Sequence, residues 1–303
     1  MYDILIVGGG PAGLTAAIYA LRAGKSVLVI EKNGFGGQIA FSPKVENIPG
    51  TRTISGAEFA DKLTDHAMDL GAEVELEKVI RVEKSEDMFT VSTEEGSSYQ
   101  AKAVILAVGV KHRTLGLPGE EELIGNGISF CAVCDGAFYT GQKVAMIGGG
   151  NSALQEALLL AEVCEKVTIV QNLAFLTGEK KLAEALEEKD NVEIIYSTVV
   201  SQYLTENGEM KGLRLRNEET GAESEISVDG TFLAVGLQPE NDAFRDLAKL
   251  NDWGYFASAE DCTTQTPGLF VAGDCRSKTI RQVVTAAGDG AIAAMAACRY
   301  IDA

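Results

Sequence analysis

Asp3-Ile4-Leu5-Ile6-Val7-Gly8-Gly9-Gly10-Pro11-Ala12-Gly13 is the stretch that decides the fold. An apolar run ends in a glycine turn, and Leu14, Ala17, Ile18 and Leu21 then recur at helical spacing. A second apolar run, Ser26 to Ile30, follows and ends at Glu31. Strand, turn, helix and strand with a terminal acid form a dinucleotide-binding unit. Gly8 permits the tight turn, Gly10 lets backbone approach a pyrophosphate, and Gly13 lets helix and strand pack closely. Pro11 and Ala12 open the helix, whose free N–H groups face an anion. Glu31 is placed to accept hydrogen bonds from a ribose diol.

The unit occurs twice. Lys143 to Ile147, then Gly148-Gly149-Gly150-Asn151-Ser152-Ala153, then Leu154, Ala157, Leu158 and Ala161, then Lys166 to Val170 repeat it with a constant offset of 140 residues. Gly8, Gly10, Gly13 and Glu31 thus fall on Gly148, Gly150, Ala153 and Gln171. Two such units predict one site for a resident flavin and one for a diffusible dinucleotide. Between them Gly56 to Leu70 reads as a helix and Glu73 to Ile105 as alternating strands; Val192 to Val228 forms a second strand group. The apolar segment Gly230 to Val235 precedes a break at Gly236-Leu237-Gln238-Pro239. Gly268 to Ala272 runs into Gly273-Asp274 and a long alanine-rich helix ending near Ile301.

At roughly 100 to 200 residues per domain, 303 residues predict two domains. The predicted fold is α/β, with two doubly wound dinucleotide-binding domains, the second inserted into the first. Residues 1–114 and 242–303 form the first, and residues 115–241 the second.

Charged residues make up 23% of the chain and large apolar ones 46%, an ordinary globular balance. The formal charge of −18 repels nucleic acid. The chain opens on Met1, Tyr2 and Asp3 with no basic leader, and its longest alanine-rich apolar stretch, Ala291 to Cys298, is too short to span a bilayer. A cytoplasmic protein without membrane contact is the expectation. Two histidines, His66 and His112, leave no material for a zinc site or a histidine-based triad. Of six cysteines, Cys164, Cys262, Cys275 and Cys298 stand singly among apolar neighbours, and only Cys131-Ala132-Val133-Cys134 has redox spacing. With no second closely spaced pair to complete a metal site, Cys131 and Cys134 are expected to be a redox couple, with Asp135 a proton donor beside them.

Over essentially its whole length the sequence resembles the low-molecular-weight thioredoxin reductases. The resemblance is carried by Gly8 to Gly13, Gly36-Gly37-Gln38, Val45-Glu46-Asn47-Ile48-Pro49-Gly50, Ala107-Val108-Gly109, Cys131 to Gly136, Gly273-Asp274, Arg281-Gln282-Val283 and Ala287-Gly288. It implies FAD as cofactor, with Gly37, Gln38, Asn47, Gly109, Gly273, Asp274, Arg281, Gln282 and Val283 joining Gly8 to Gly13 and Glu31 around it. It implies thioredoxin as partner, a homodimer, and domains that rotate about strands near 112–118 and 236–242. It also implies that Cys134 faces the flavin, that Cys131 attacks the partner disulfide and that Asp135 protonates the departing thiolate.

One segment departs from the family. NADPH-dependent members carry a basic His-Arg-Arg-x-x-x-Arg cluster after the second strand; here Val170-Gln171-Asn172-Leu173-Ala174-Phe175-Leu176 holds no cation. Arginine forks are the usual grip on a phosphate dianion. The carboxylate that selects NADH is missing too. In this the chain resembles the ferredoxin-dependent flavin thioredoxin reductases, which implies reduced ferredoxin as electron donor. Lys111, His112, Arg113, Arg276, Lys278 and Arg281 are candidates for a basic docking patch, with a solvated charged face as the equal alternative. The other readings are an NADH- or NADPH-dependent thioredoxin reductase, a flavin-dependent dithiol oxidase, and a non-enzymatic flavin-bound redox sensor.

Overall fold

The computed structural model describes residues 1–42 and 45–303. The chain divides into two compact units: Met1–Ala40, Ile48–Lys111 and Gln238–Ala303 form one, Phe41–Asn47 and His112–Leu237 the other.

In the first unit the strand Tyr2–Val7 lies between Val27–Glu31 and Ser98–Leu106, all parallel. Glu73–Leu76 extends the sheet beyond Val27–Glu31, and Leu269–Val271 pairs with Ser98–Leu106, also in parallel. The antiparallel hairpin Val79–Ser85 and Met88–Thr93 adds through Ser98–Leu106. Ile4 to Ile6 and Ala103 to Leu106 are fully buried because both sheet faces are covered, which is why these strands read as unbroken apolar runs. The helices Pro11–Arg22 and Val283–Asp302 pack together against one face. Their contact needs small residues: a Cβ at Gly290 would meet the Ala12 carbonyl oxygen at 2.1 Å.

In the second unit five parallel strands run in the order Val192–Ile195, Lys166–Val170, Lys143–Ile147, Gly230–Leu233, Ile128–Ser129. A separate antiparallel sheet, Thr198–Glu206, Glu209–Asn217 and Glu223–Ser227, makes up most of the second strand group and shares a core with Ala145, Ile147, Val170 and Leu233 of the parallel sheet. The helices Asn151–Ala161 and Lys180–Glu187 lie on the parallel sheet's other side, sharing a core with Val144, Met146, Val167 and Ile169. No helix among the described residues is long and apolar enough to cross a membrane.

Both units therefore repeat the strand, glycine turn and helix unit. Gly8 at φ 109° and Gly148 at φ 127° adopt backbone that L-residues rarely take. Each also sits against a neighbouring strand end: a Cβ would lie 2.3 Å from the Ala107 oxygen in one case and 2.6 Å from the Ala234 oxygen in the other. Conformation and close approach together exclude any side chain at either position.

Candidate redox and flavin-binding site

The nucleotide turn of the first unit is held by Glu31. Its Oε2 accepts the Gly9 N–H at 2.7 Å and its Oε1 the Asn33 N–H at 3.0 Å. A carboxylate oxygen carries two lone pairs, so both oxygens remain able to accept from a diol. The helix Pro11–Arg22 starts at Gly10 with no side-chain cap, leaving its first N–H groups open to an anion. Gly37 closes over this turn, where a Cβ would stand 3.1 Å from the Gly10 Cα, and the Gln38 side-chain amide donates to the Val110 carbonyl beside Gly109.

Gly273 and Asp274 form a 3-10 turn (Gly273–Cys275) at the end of the strand Leu269–Val271, and a Cβ at Gly273 would meet the Ala12 Cβ at 2.8 Å. Asp274 is thus brought to the start of the glycine-turn helix. Its Oδ1 is enclosed with no hydrogen-bond partner among the described residues, and burial raises its pKa. Arg281 lays its guanidinium 4.3 Å from the Tyr255 ring centroid and donates to the Asp274 carbonyl. Gln282 caps the helix Val283–Asp302 through a reciprocal pair with Thr285, and Val283 is its first residue. Gly8 to Gly13, Glu31, Gly37, Gln38, Gly109, Gly273, Asp274, Arg281, Gln282 and Val283 all belong to one unit. Asn47 is grouped with the other unit and is exposed.

Cys131 and Cys134 are joined by a disulfide, with Cα atoms 5.3 Å apart. Cys131 is the N-cap of the single helical turn Ala132–Asp135, and the Cys134 N–H donates to the Cys131 carbonyl at 3.1 Å and Sγ at 3.2 Å. Val133 between them is 55% exposed, so the motif faces solvent at its middle. Asp135 is half-buried; it accepts from Ser129 Oγ at 2.7 Å and Ser42 Oγ at 3.2 Å. Burial pushes its pKa up and the two hydroxyls partly offset that.

Three polar neighbours of the cysteine turn, Ser42, Ser129 and Glu156, have little signal in the sequence. Ser129 and Ser42 are not near Asp135 in any pattern. Glu156 accepts the Ala132 N–H at 3.0 Å, and burial, together with repulsion from Asp135, pushes its carboxyl up to about 7. It left a trace in sequence: it stands three residues after Ala153 and four before Leu160, a charge within an apolar stripe.

The second glycine turn is closed by its own chain. The Thr177 and Gly178 N–H groups donate to the Gly149 carbonyl at 2.8 and 2.9 Å, as Gly36 does to Gly9 in the first unit. Gln171 is buried, with its amide on the Phe175 carbonyl at 3.0 Å.

Four of the six candidate patch residues are engaged within the fold. Arg276 and Lys278 turn inward to Asp289, at 2.7 and 2.9 Å, with side chains 6% and 10% exposed. Lys111 pairs with Glu240 at 2.8 Å. His112 stacks on Phe130, and burial lowers its pKa to about 4, leaving it neutral. Adjacent cations in sequence had suggested one outer surface; a buried carboxylate 13 residues beyond Arg276 drew two of them inside.

The pyridine nucleotide-disulphide oxidoreductase model matches residues 2–290. The chain is 39% identical to a thioredoxin reductase of Bacillus subtilis over 302 residues, covering 100% of this chain and 95% of that protein. It is 40% identical over 300 residues to a Clostridium pasteurianum protein described as a 34.2 kDa protein in rubredoxin operon, covering 99% and 97%. Among solved structures, the thioredoxin reductase of Streptococcus pyogenes is similar at TM-score 0.92 and 39% identity, over 100% of this chain and 98% of that one. The chain belongs to the pyridine nucleotide-disulphide oxidoreductase family, whose two-unit α/β fold it carries. Within that class it belongs with the low-molecular-weight thioredoxin reductases, a family of FAD flavoproteins. The first unit fits that cofactor: the uncapped glycine-turn helix suits a pyrophosphate, and the enclosed, unpaired Asp274 oxygen suits a hydroxyl-bearing chain.

Proposed function

We propose that this thioredoxin reductase takes its electrons from reduced ferredoxin rather than from NADPH, and passes them through FAD and the Cys131–Cys134 disulfide to thioredoxin. The observation that carries the donor is the neutral segment Val170 to Leu176, in which Gln171 is buried and committed to its own loop. A 2'-phosphate finds neither charge nor a bidentate fork there. Energetics permit the alternative: a donor near about −400 mV against thioredoxin near about −270 mV releases roughly 6 kcal/mol for two electrons.

The glycine turn, Glu31, Gly37, Gln38, Asn47, Gly109, Gly273, Asp274, Arg281, Gln282 and Val283 are assigned to FAD. Residues 1–114 and 242–303 are assigned to the flavin domain and 115–241 to the disulfide domain. When bound, FAD supplies a two-electron store that can be filled one electron at a time. Two electrons and one proton convert the disulfide to one thiol and one thiolate, with Cys134 the sulfur assigned to the flavin. The Cys131 thiolate then attacks one sulfur of the substrate disulfide, forming a mixed disulfide and expelling a thiolate that Asp135 protonates. Cys134 attacks Cys131 Sγ, restoring the intramolecular disulfide and releasing the second substrate thiol. Half-exposed apolar side chains on the helices Pro11–Arg22 and Val283–Asp302 (Tyr19, Ile292 and Met295) support a homodimer built on this unit. A cytoplasmic location goes with this reading.

Anaerobic titration tests the donor. Reduced ferredoxin is expected to bleach the flavin and thioredoxin to restore its colour, while NADPH and NADH leave it yellow. Stoichiometric bleaching by either nucleotide refutes the reading. It would establish the second one, an NADPH- or NADH-dependent reductase, which the intact turn Gly148 to Ala153 favours. Cys131→Ser is expected to keep flavin reduction and lose thioredoxin turnover.

A further inference from the structure

We infer that Glu156 is a positioning residue of the redox disulfide: its carboxylate holds the turn between Cys131 and Cys134 through the Ala132 N–H, and it takes up a proton when that disulfide is reduced. The inference rests on the assignment of Cys131 and Cys134 as the redox pair.

The geometry places Glu156 where it senses that change. Ala132 follows Cys131 directly, and its N–H is the first of the turn that ends at Asp135. Glu156 Oε2 accepts it at 3.0 Å. The hydrogen bond joins the turn to the glycine-turn helix Asn151–Ala161, whose Ala153, Leu154, Ala157 and Leu160 are buried in the core of that unit. A negative charge is favoured at this N–H and opposed by burial and by Asp135. Among the described residues, Asp135 is the charged group that raises the Glu156 pKa. The balance leaves the carboxyl poised near neutrality in the disulfide state.

Reduction adds a charge to this balance. A disulfide that accepts two electrons and one proton becomes one thiol and one thiolate. The new anion lies in the turn whose first N–H Glu156 holds, and a like charge raises the pKa of a neighbouring carboxylate. Written with the carboxylate included, disulfide, Glu156 carboxylate, two electrons and two protons give thiol, thiolate and neutral Glu156. The electrons come from the reductase's own donor, and the net charge falls by one less unit than it would without Glu156. The centre can therefore hold the thiolate needed for attack on a substrate disulfide without accumulating a further buried charge.

Glu156→Gln keeps a carbonyl oxygen for the Ala132 N–H and removes only the titration. The holoenzyme is equilibrated at fixed potentials between about pH 7 and 8, and the free thiols are trapped by alkylation and counted by mass. In the native protein the ratio of reduced to disulfide form is expected to fall more than 10-fold and up to about 100-fold per pH unit, between one and two protons per disulfide, and in Glu156→Gln about 10-fold, one proton. Equal slopes in the two proteins overturn the inference and leave Glu156 a structural pin. If Glu156→Gln does not fold, the infrared difference spectrum of native protein against Asp135→Asn decides. A protonated carboxyl band that appears on reduction and survives in Asp135→Asn supports Glu156; one that vanishes there assigns the proton to Asp135 and overturns the proposal. Loss of disulfide reduction in the native protein would instead strike the assignment of the cysteine pair.

Discussion

The side-chain amide of Gln171 donates to the carbonyl of Phe175, four residues along the same loop, at 3.0 Å. Glu31, its counterpart 140 residues earlier, instead accepts two backbone N–H groups at its own glycine turn. The two units thus share a fold and differ in what the residue at the end of the second strand is free to bind. A carboxylate that only accepts is suited to a ribose diol; a buried amide spent on a carbonyl is not.

If charge is what the second unit lacks, charge should restore nucleotide use. Asn172 and Phe175 are exposed, and replacing both by Arg adds two forks without disturbing Gln171 or the Phe175 backbone. Each charge-assisted bond to phosphate is worth about 1.5–3 kcal/mol. The concentration of NADPH that half-bleaches the flavin is expected to fall at least about 10-fold in the double variant. No fall would mean that the loop's conformation, rather than its neutrality, closes the site.

The glycine turns were legible in the sequence because their cause is local: Gly8 and Gly148 need a backbone and a clearance that no other residue allows. The buried strands were legible as apolar runs for the same reason. The helix Lys180–Glu187 was not anticipated; it is short, buries only Leu186, and so lacks a wide apolar stripe. Long-range polar pairs were invisible. Glu156 meets Ala132 across 24 residues and Asp289 meets Gly273 across 16, and neither spacing follows any helical or strand period. The inward turn of Arg276 and Lys278 was invisible for the same reason, since their partner Asp289 lies on the last helix.

Asp135 should control turnover through its protonated form. Burial already raises its pKa, and the Ser129 hydroxyl opposes that rise. Asp135→Asn removes the proton donor and is expected to slow thioredoxin reduction about 100-fold or more while flavin reduction persists. Ser129→Ala removes a bond that favours the charged form, so the pKa rises further and the acid stays protonated to higher pH. The alkaline limb of the turnover profile should move upward in that variant; a downward move would mean that Asp135 acts as its carboxylate.

Glu120 fixes the start of the second unit. It accepts the N–H groups of Leu115, Gly116 and Leu117 at 2.7 to 3.2 Å and the Tyr203 hydroxyl at 2.8 Å. Tyr203→Phe removes one donor from a buried carboxylate, costing about 1.5–3 kcal/mol locally. Hydrogen exchange of the Leu115 to Leu117 amides is expected to quicken about 10-fold or more, with the strand Lys143–Ile147 unaffected. Uniform acceleration across the unit would show that Tyr203 supports the whole core instead.

Asp289 is the counter-ion on which two buried cations depend. Its carboxylate accepts the Gly273 N–H at 3.0 Å, Arg276 at 2.7 and 2.9 Å, and Lys278 at 2.9 Å. Burial alone would raise its pKa, but the bonds from Arg276 and Lys278 outweigh burial and hold it below the usual range. A carboxyl with a depressed folded pKa stabilises the fold fully above its unfolded value of about 3.9 and loses that contribution as pH falls through the folded value. Acid unfolding should therefore begin in this unit. Asp289→Asn keeps the shape and leaves two positive charges without a partner, a loss of about 3–5 kcal/mol. The variant is expected to melt several degrees lower and to release flavin more readily, because Gly273 and Asp274 lose the anchor that sets their turn. Replacing Lys278 by Met in the Asp289→Asn background removes one orphaned charge and should recover part of the melting temperature; no recovery would place the cost in the Gly273 hydrogen bond rather than in the cations.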